Sequence, residues 1–370
     1  MSEAADEDER WMAAALAFGR RSLGLAAPNP SVGALLVHEG VVVGRGVTQR
    51  GGRPHAERRA LDEAGETARG ATLYVTLEPC SHHGLTPPCA DAIVAAGVAR
   101  VVCALEDPDP RVAGRGLAQL REAGIEVLVG PGAATARRDH RGHILRVTRG
   151  RPMATLKLAR TADGFASGDE HDRRLAITGQ TANLRVQMMR AMHDAIMVGV
   201  GTVLGDDPLL TVRLPGVDQR PLRVVLDSRL RLPADSRLCA TARDHPIVVL
   251  TTPAASLDRE AMLRARGVEV ARVGVESDAR LDLDAALGWL GRRGITRVFS
   301  EGGPTVGARL IREGLADEVV LLTATKPLGR PGLPALAAEA YAALADLARY
   351  REVERAEYGS DELQRWERRD

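Results

Sequence analysis

The chain has 370 residues, 45% hydrophobic and 27% charged, a globular composition that excludes a disordered or fibrous protein and is long enough for two domains. A formal net charge of +1 and an aromatic content of 3% leave no basic field and few stacking platforms, so nucleic acid is not expected as a partner. No apolar run approaches the ~18 residues of a membrane span, and the acidic opening Glu3, Asp6, Glu7, Asp8 and Glu9 is unlike a signal peptide, so a cytoplasmic location without membrane contact is expected.

Apolar residues at helical spacing predict a helix over 10–23, stopped by Pro28 and Pro30. A hairpin follows over 33–38 and 41–47, turning at Glu39-Gly40. Then come a helix opened by Pro54 and running to about 64, a strand over 71–77, a helix from about 88, a strand over 100–105, a helix over 116–123 and a strand over 126–129. This alternation predicts an α/β layered sheet. Residues 131–152 hold glycines, arginines and no sustained strand, which puts a domain boundary near 150 and gives domains 1–150 and 151–370. A second α/β series is predicted beyond it: strands 153–159, 194–200, 222–227, 246–250 and 297–300, helices 180–192 and 282–292, a helix from Pro304 to Arg312, and a hairpin around 358–361.

Among the four cysteines, Cys103 lies in the apolar run Val101-Val102-Cys103-Ala104 and Cys239 has no ligand-type neighbour, so both are expected in the core. Cys80 and Cys89 differ. Within 36 residues fall Pro54-His55-Ala56-Glu57 at a helix start, Glu78-Pro79-Cys80 at a strand end and Pro88-Cys89 at the next helix start. One imidazole and two thiolates suffice for a single Zn²⁺ per chain, and the absent fourth protein ligand marks a catalytic site, open to water. His55 and Glu57 would diverge in mid-helix, but at the first turn both can face a metal beyond the helix end. The positive ends of two helix dipoles favour the thiolates. Zinc lowers the pKa of bound water toward ~7, and Glu57, not needed as a ligand, is placed to carry a proton to a ring nitrogen and a leaving ammonia. Zinc nucleobase deaminases carry an H-x-E and P-C-x-x-C signature with this division of labour. Here eight residues separate the two cysteines, and the insertion contains His82 and His83, which suit substrate contact or solvent better than ligation. A structural zinc or a redox thiol pair is the alternative reading of the cluster.

The string from Tyr74 through Glu78-Pro79-Cys80-Ser81-His82-His83-Gly84-Leu85-Thr86-Pro87-Pro88-Cys89, with Pro28-Asn29-Pro30-Ser31-Val32-Gly33 and Pro54-His55-Ala56-Glu57, closely resembles the deaminase half of the bifunctional riboflavin-biosynthesis deaminase/reductase family. The resemblance continues through Lys157-Leu158-Ala159, Asp163-Gly164, the segment from Gly201 to Arg213, Leu226-Asp227-Ser228 and Glu301-Gly302-Gly303-Pro304-Thr305. It implies a cytidine-deaminase-like N-terminal domain and a dihydrofolate-reductase-like C-terminal domain. The implied reactions are hydrolytic deamination of an aminopyrimidinone ribotide and then reduction of its ribose to a ribityl chain with NADPH. By position it implies zinc ligation by His55, Cys80 and Cys89, proton transfer by Glu57, and a substrate contact at Asn29. It also implies ribotide contacts at Lys157, Arg190, Asp206, Leu210, Arg213 and Glu301, with Arg190 and Arg213 on the sugar phosphate, and NADPH contacts at Ala159, Thr202, Ser228, Gly303, Pro304 and Thr305.

There is one departure. Many relatives have Ser-x-Trp-Ile-Thr where this chain has Arg174-Leu175-Ala176-Ile177-Thr178, so a ring contact beside the cofactor is lost at Ala176 and Arg174 replaces a serine. A polynucleotide-editing deaminase would leave the second half unexplained, and a zinc-stabilised scaffold would not need Glu57 beside an open metal position. The sequence does not specify the oligomeric state and permits a homo-oligomer.

Overall fold

Two apolar runs meeting at Glu39-Gly40 build an antiparallel hairpin, β1 (Gly33–His38) with β2 (Val41–Val47). Both turn residues take positive φ, 50° and 76°, as a two-residue hairpin turn demands. The computed structural model describes residues 3–83, 87–168, 175–276 and 280–369. Two units emerge from it, Met1–Arg151 and Pro152–Asp370.

In the first unit β3 (Thr72–Val75), β4 (Arg100–Cys103) and β5 (Glu126–Val129) extend the hairpin into a sheet of order β2-β1-β3-β4-β5, with β3, β4 and β5 parallel. Helices Cys89–Ala95 and Arg115–Glu122 make the two parallel crossovers. The sheet buries Leu36, Leu73, Val75, Val101 and Cys103 against helix residues such as Met12, Ile93 and Leu120. Helix Ala56–Ala64 lies directly on β2, because a Cβ at Gly46 would sit 1.9 Å from the Ala56 carbonyl oxygen.

The N-terminal helix, Glu3–Gly19, begins well before the expected residue 10. Its acidic first turns suit the positive end of the helix dipole. Asp8 is buried: its carboxylate accepts both Arg100 Nη atoms at 2.7 and 2.8 Å and the Tyr74 hydroxyl at 3.0 Å, pinning the helix across the sheet. The strandless stretch at 131–152 is helical, Ala133–Asp139 and Arg141–Arg149.

The second unit contains β6 (Met153–Arg160), β7 (Phe165–Ser167), β8 (Ala195–Gly199), β9 (Leu222–Leu226), β10 (Ile247–Thr251), β11 (Glu269–Arg272), β12 (Arg297–Ser300), β13 (Glu318–Thr323), β14 (Leu333–Pro334), β15 (Tyr350–Tyr358) and β16 (Asp361–Arg368). Among the described residues one sheet runs β11-β10-β9-β8-β12-β6-β13-β16-β15, and β7 pairs only with β14. Pairing is parallel from β11 to β13 and antiparallel through β16 to β15. Sequence periodicity overlooked β13: Glu-Val-Val-Leu-Leu-Thr is a continuous apolar run, buried on both faces as central parallel strands are, and it shows no alternation. Cys239 is buried in this unit's core, as expected.

Candidate active site

His55 is the N-cap of helix Ala56–Ala64, with extended backbone at φ −69° and ψ 162°, so Pro54 precedes the helix instead of opening it. The cap turns the imidazole off the helix end while Glu57 stays in the first turn. Cys80 lies beyond β3, and Cys89 is the first residue of helix Cys89–Ala95. Three separate elements thus deliver three donors: His55 Nδ1 lies 3.6 Å from Cys80 Sγ and 3.4 Å from Cys89 Sγ, and all three ligand atoms fall within 4.8 Å of one another. An imidazole nitrogen and two sulfurs at these separations fit tetrahedral zinc with one position left over. No other such trio clusters among the described residues.

The electrostatics agree with that donor set. The hydrogen bond from the Cys89 thiol draws Cys80 down to about 4, and Cys89, as the donor of that bond, is raised. His55 is raised, chiefly by its hydrogen bond with Cys80. Glu57 is 3% exposed, and burial pushes its carboxyl up to about 7, the range in which a carboxyl can both take and return a proton at neutral pH.

A cleft opens at this cluster, lined by His55, Glu57 and Cys80 among others. Asn29 lines it, donating from Nδ2 to the Gly52 carbonyl at 2.9 Å and lying 3.1 Å from His55 Nε2, which orients the ring with Nδ1 toward the sulfurs. Gly52, at φ 88°, permits that approach, since a Cβ there would fall 2.8 Å from Asn29 Cγ. His82 also lines the cleft, and His83 is exposed. The far wall holds Asp107, Asp109, Arg111, His143 and Arg146, none of which sequence reasoning singled out. The run Glu106-Asp107-Pro108-Asp109-Pro110 after a strand was the available signal. Glu78 builds this wall: its buried carboxylate accepts the backbone N–H groups of Asp107 (3.1 Å), Gly114 (2.9 Å), Gly116 (2.9 Å) and Leu117 (3.3 Å).

In the second unit, Glu301 leaves the end of β12 and forms a bidentate pair with Arg190, Nε to Oε1 at 2.5 Å and Nη2 to Oε2 at 3.0 Å. Arg190 also donates to the Thr211 carbonyl at 2.9 Å, and Arg213 reaches the Thr211 hydroxyl at 3.3 Å, so the two arginines share one residue. Asp206 ends helix Val200–Asp206, and Leu210 beyond it is buried at φ 52°, a conformation costly for a bulky residue. The fully buried Arg223 donates to the Leu209 carbonyl at 3.3 Å and helps to hold that segment. Gly303 caps helix Pro304–Arg312, whose first turn holds Pro304 and Thr305, and a Cβ on Gly303 would lie 3.8 Å from the Thr202 hydroxyl. The starts of helices Val200–Asp206 and Pro304–Arg312 therefore meet at small residues. Ser228 follows the buried Asp227 and is half-buried, with Arg229 exposed beside it. Lys157 lies in mid-β6, opposite Val320 of β13, and Ala159 is two residues further along. Ala176 is exposed, and Arg174 lies outside the described residues.

Residues 5–105 match the model of the cytidine and deoxycytidylate deaminase zinc-binding region, and residues 152–354 match the RibD C-terminal domain. The riboflavin biosynthesis protein RibD of Escherichia coli strain K12 is 40% identical over 354 residues, covering 90% of this chain and 93% of its own. That of Aquifex aeolicus is 38% identical over 87% of this chain and 88% of its own. Among solved structures, Acinetobacter baumannii RibD superposes with a TM-score of 0.87 at 33% identity, covering 99% of this chain and 100% of that one. A Thermotoga maritima diaminohydroxyphosphoribosylaminopyrimidine deaminase/5-amino-6-(5-phosphoribosylamino)uracil reductase does so at 0.83 and 32% identity, with the same coverage.

Proposed function

Because the chain belongs to the RibD family of riboflavin biosynthesis, and so is an enzyme with both a deaminase and a reductase activity, we propose that its two sites work as follows. His55, Cys80 and Cys89 would hold one zinc, which when bound supplies the Lewis acidity that makes water a nucleophile at neutral pH. Glu57 takes on a carboxylate oxygen the two protons that water gives up in turn, passing the first to the ring nitrogen and the second to the amino group, which departs as ammonia. Its burial keeps the carboxyl poised for both transfers. Asn29 and the cleft walls orient 2,5-diamino-6-(5-phosphoribosylamino)pyrimidin-4-one over that carboxylate.

The deaminated ribotide is then reduced on the second unit. Lys157, Asp206, Leu210 and Glu301 line its binding place, and Arg213, backed by Arg190 through Thr211, takes the sugar phosphate with its planar guanidinium. Reduction of the ribose to the ribityl chain needs a hydride donor, for which we assign NADPH. The start of helix Pro304–Arg312, with Gly303, Pro304, Thr305 and the facing Thr202, receives its phosphates, Ala159 lies along its path, and Ser228 with Arg229 takes the extra phosphate. All four cysteines are free thiols, which suits a reducing cytoplasm.

The observation that carries the deaminase reading is the buried Glu57 beside a three-donor cluster with a position to spare. Glu57→Gln should keep zinc by metal analysis yet lose ammonia release by roughly 10² to 10⁴-fold, the range of general acid/base catalysis. Reduction of supplied deaminated ribotide should persist. Normal deamination by Glu57→Gln would place the proton transfer elsewhere.

A further inference from the structure

One helix stitches the deaminase cleft together from behind. His140, His143 and Arg146 recur every three residues on one side of Arg141–Arg149 and its N-cap. Each reaches a different wall: His140 Nε2 lies 3.1 Å from both the carbonyl and the hydroxyl of Thr76, His143 Nε2 lies 2.9 Å from Asp107 Oδ1, and Arg146 donates to the Pro28 carbonyl at 3.0 Å. Thr76 is four residues from Cys80, and Pro28 adjoins Asn29, so the same helix spans both edges of the site.

The middle contact is the unusual one. Asp107 is 6% exposed and His143 5% exposed, a buried carboxylate and imidazole in a cleft wall. Asp107 Oδ1 also accepts the Asp109 backbone N–H at 2.9 Å, and the Asp107 backbone N–H is held by Glu78. Its second oxygen, Oδ2, takes no hydrogen bond among the described residues. The Asp107 backbone and one carboxylate oxygen are therefore fixed by protein, which leaves the other oxygen for the cleft. A carboxylate oxygen so placed accepts only from donors, and a diaminopyrimidine ring presents amino groups.

We propose that His143 is a positioning residue for deamination, holding Asp107 by the Nε2–Oδ1 hydrogen bond so that Oδ2 receives an amino group of the substrate ring. The proposal rests on the deaminase reading of the cleft. His143 does not touch the reacting atoms and acts through Asp107. Its loss therefore weakens substrate binding and leaves the chemical step, which belongs to Glu57 and the cluster, almost unchanged.

The test uses the full-length, zinc-loaded protein. His143→Phe keeps the bulk but removes the donor, and should raise the KM for the ribotide about 10- to 100-fold, the scale of a lost hydrogen bond to a charged group. kcat should stay within about threefold, and zinc content and reductase activity should be unchanged. His143→Gln, whose amide nitrogen can occupy the place of Nε2, should restore KM to within about threefold. Calorimetric binding of the ribotide to Glu57→Gln, with and without His143→Phe, should show the same loss in Kd without turnover. In an Asp107→Ser background, His143→Phe should add no further loss, because residues acting through one contact are not additive. Should His143→Phe fail to fold, His143→Asn, too short to keep the bond, should show the same rise in KM. Unchanged KM and Kd in a folded variant, an effect confined to kcat, failure of His143→Gln to restore, or full additivity with Asp107→Ser would each overturn the proposal. Failure of the deaminase reading itself is distinguishable, because the unmutated protein would then release no ammonia.

Discussion

At the scale of single residues, a functional role here follows from the company a side chain keeps. The four cysteines show this most directly. Cys103 and Cys239 are buried in apolar clusters, and burial raises both thiols. Cys80 instead is drawn down to about 4, which favours the thiolate that binds a metal. Cys89→Ser should therefore lose most of its zinc in metal analysis, whereas Cys103→Ser and Cys239→Ser should keep a full equivalent. Full zinc in Cys89→Ser would remove that residue from the ligand set. Glu78 teaches the complementary lesson. It sits two residues before Cys80, yet four backbone N–H groups occupy its carboxylate, so its work is to hold the loop over 106–114.

At the scale of elements, the anchoring of the first helix makes stability depend on pH. Arg100, then Tyr74, hold the Asp8 carboxyl below its ordinary value. An unfolded chain returns it to about 3.9. Between those two values the unfolded state binds a proton that the folded state refuses, so the contribution of Asp8 is complete above about pH 5 and is lost as pH falls through the folded value. Asp8→Asn should lower stability at pH 7 and flatten the acid limb of the first unit. Denaturant titration from pH 7 to 3, followed by the emission of Trp11 in a Trp289→Phe, Trp366→Phe background, would show it. An equally steep acid limb in Asp8→Asn would assign that sensitivity to other carboxylates.

At the scale of the whole chain, the two units match two separate family models, and the stretch 106–151 falls between the matched ranges. That stretch belongs to the first unit and supplies Asp107, Asp109, His143 and Arg146 to its cleft. A fragment beginning at Pro152 should therefore fold, bind no zinc, and oxidise NADPH in preference to NADH with the deaminated ribotide. Ser228→Ala with Arg229→Ala should narrow the preference mainly by weakening NADPH. The alanine at 176 should leave that preference unchanged, because a ring contact does not read the extra phosphate. Equal binding of the two nucleotides by the unmutated fragment would defeat the cofactor assignment. A deaminase fragment ended at residue 105, by contrast, should lose the cleft wall and bind the ribotide poorly even where it holds zinc.

The sequence by itself determined what depends on local pattern and on donor chemistry: the hairpin at Glu39-Gly40, the alternation of strands and helices, and three donors of the kind that binds zinc, His55, Cys80 and Cys89, carried with Glu57 on short motifs next to prolines. Those features are legible because turn geometry and donor type are properties of neighbouring residues. Tertiary structure alone decided the rest. β13 is an apolar run whose strand character comes from being covered on both faces. Asp8 lies 92 residues from Arg100, so nothing in the acidic opening announces a buried clamp. Asp107 and His143 are 36 residues apart and become a pair only because helix Arg141–Arg149 packs behind the cleft, a contact set by the folding of distant segments and invisible to any spacing rule.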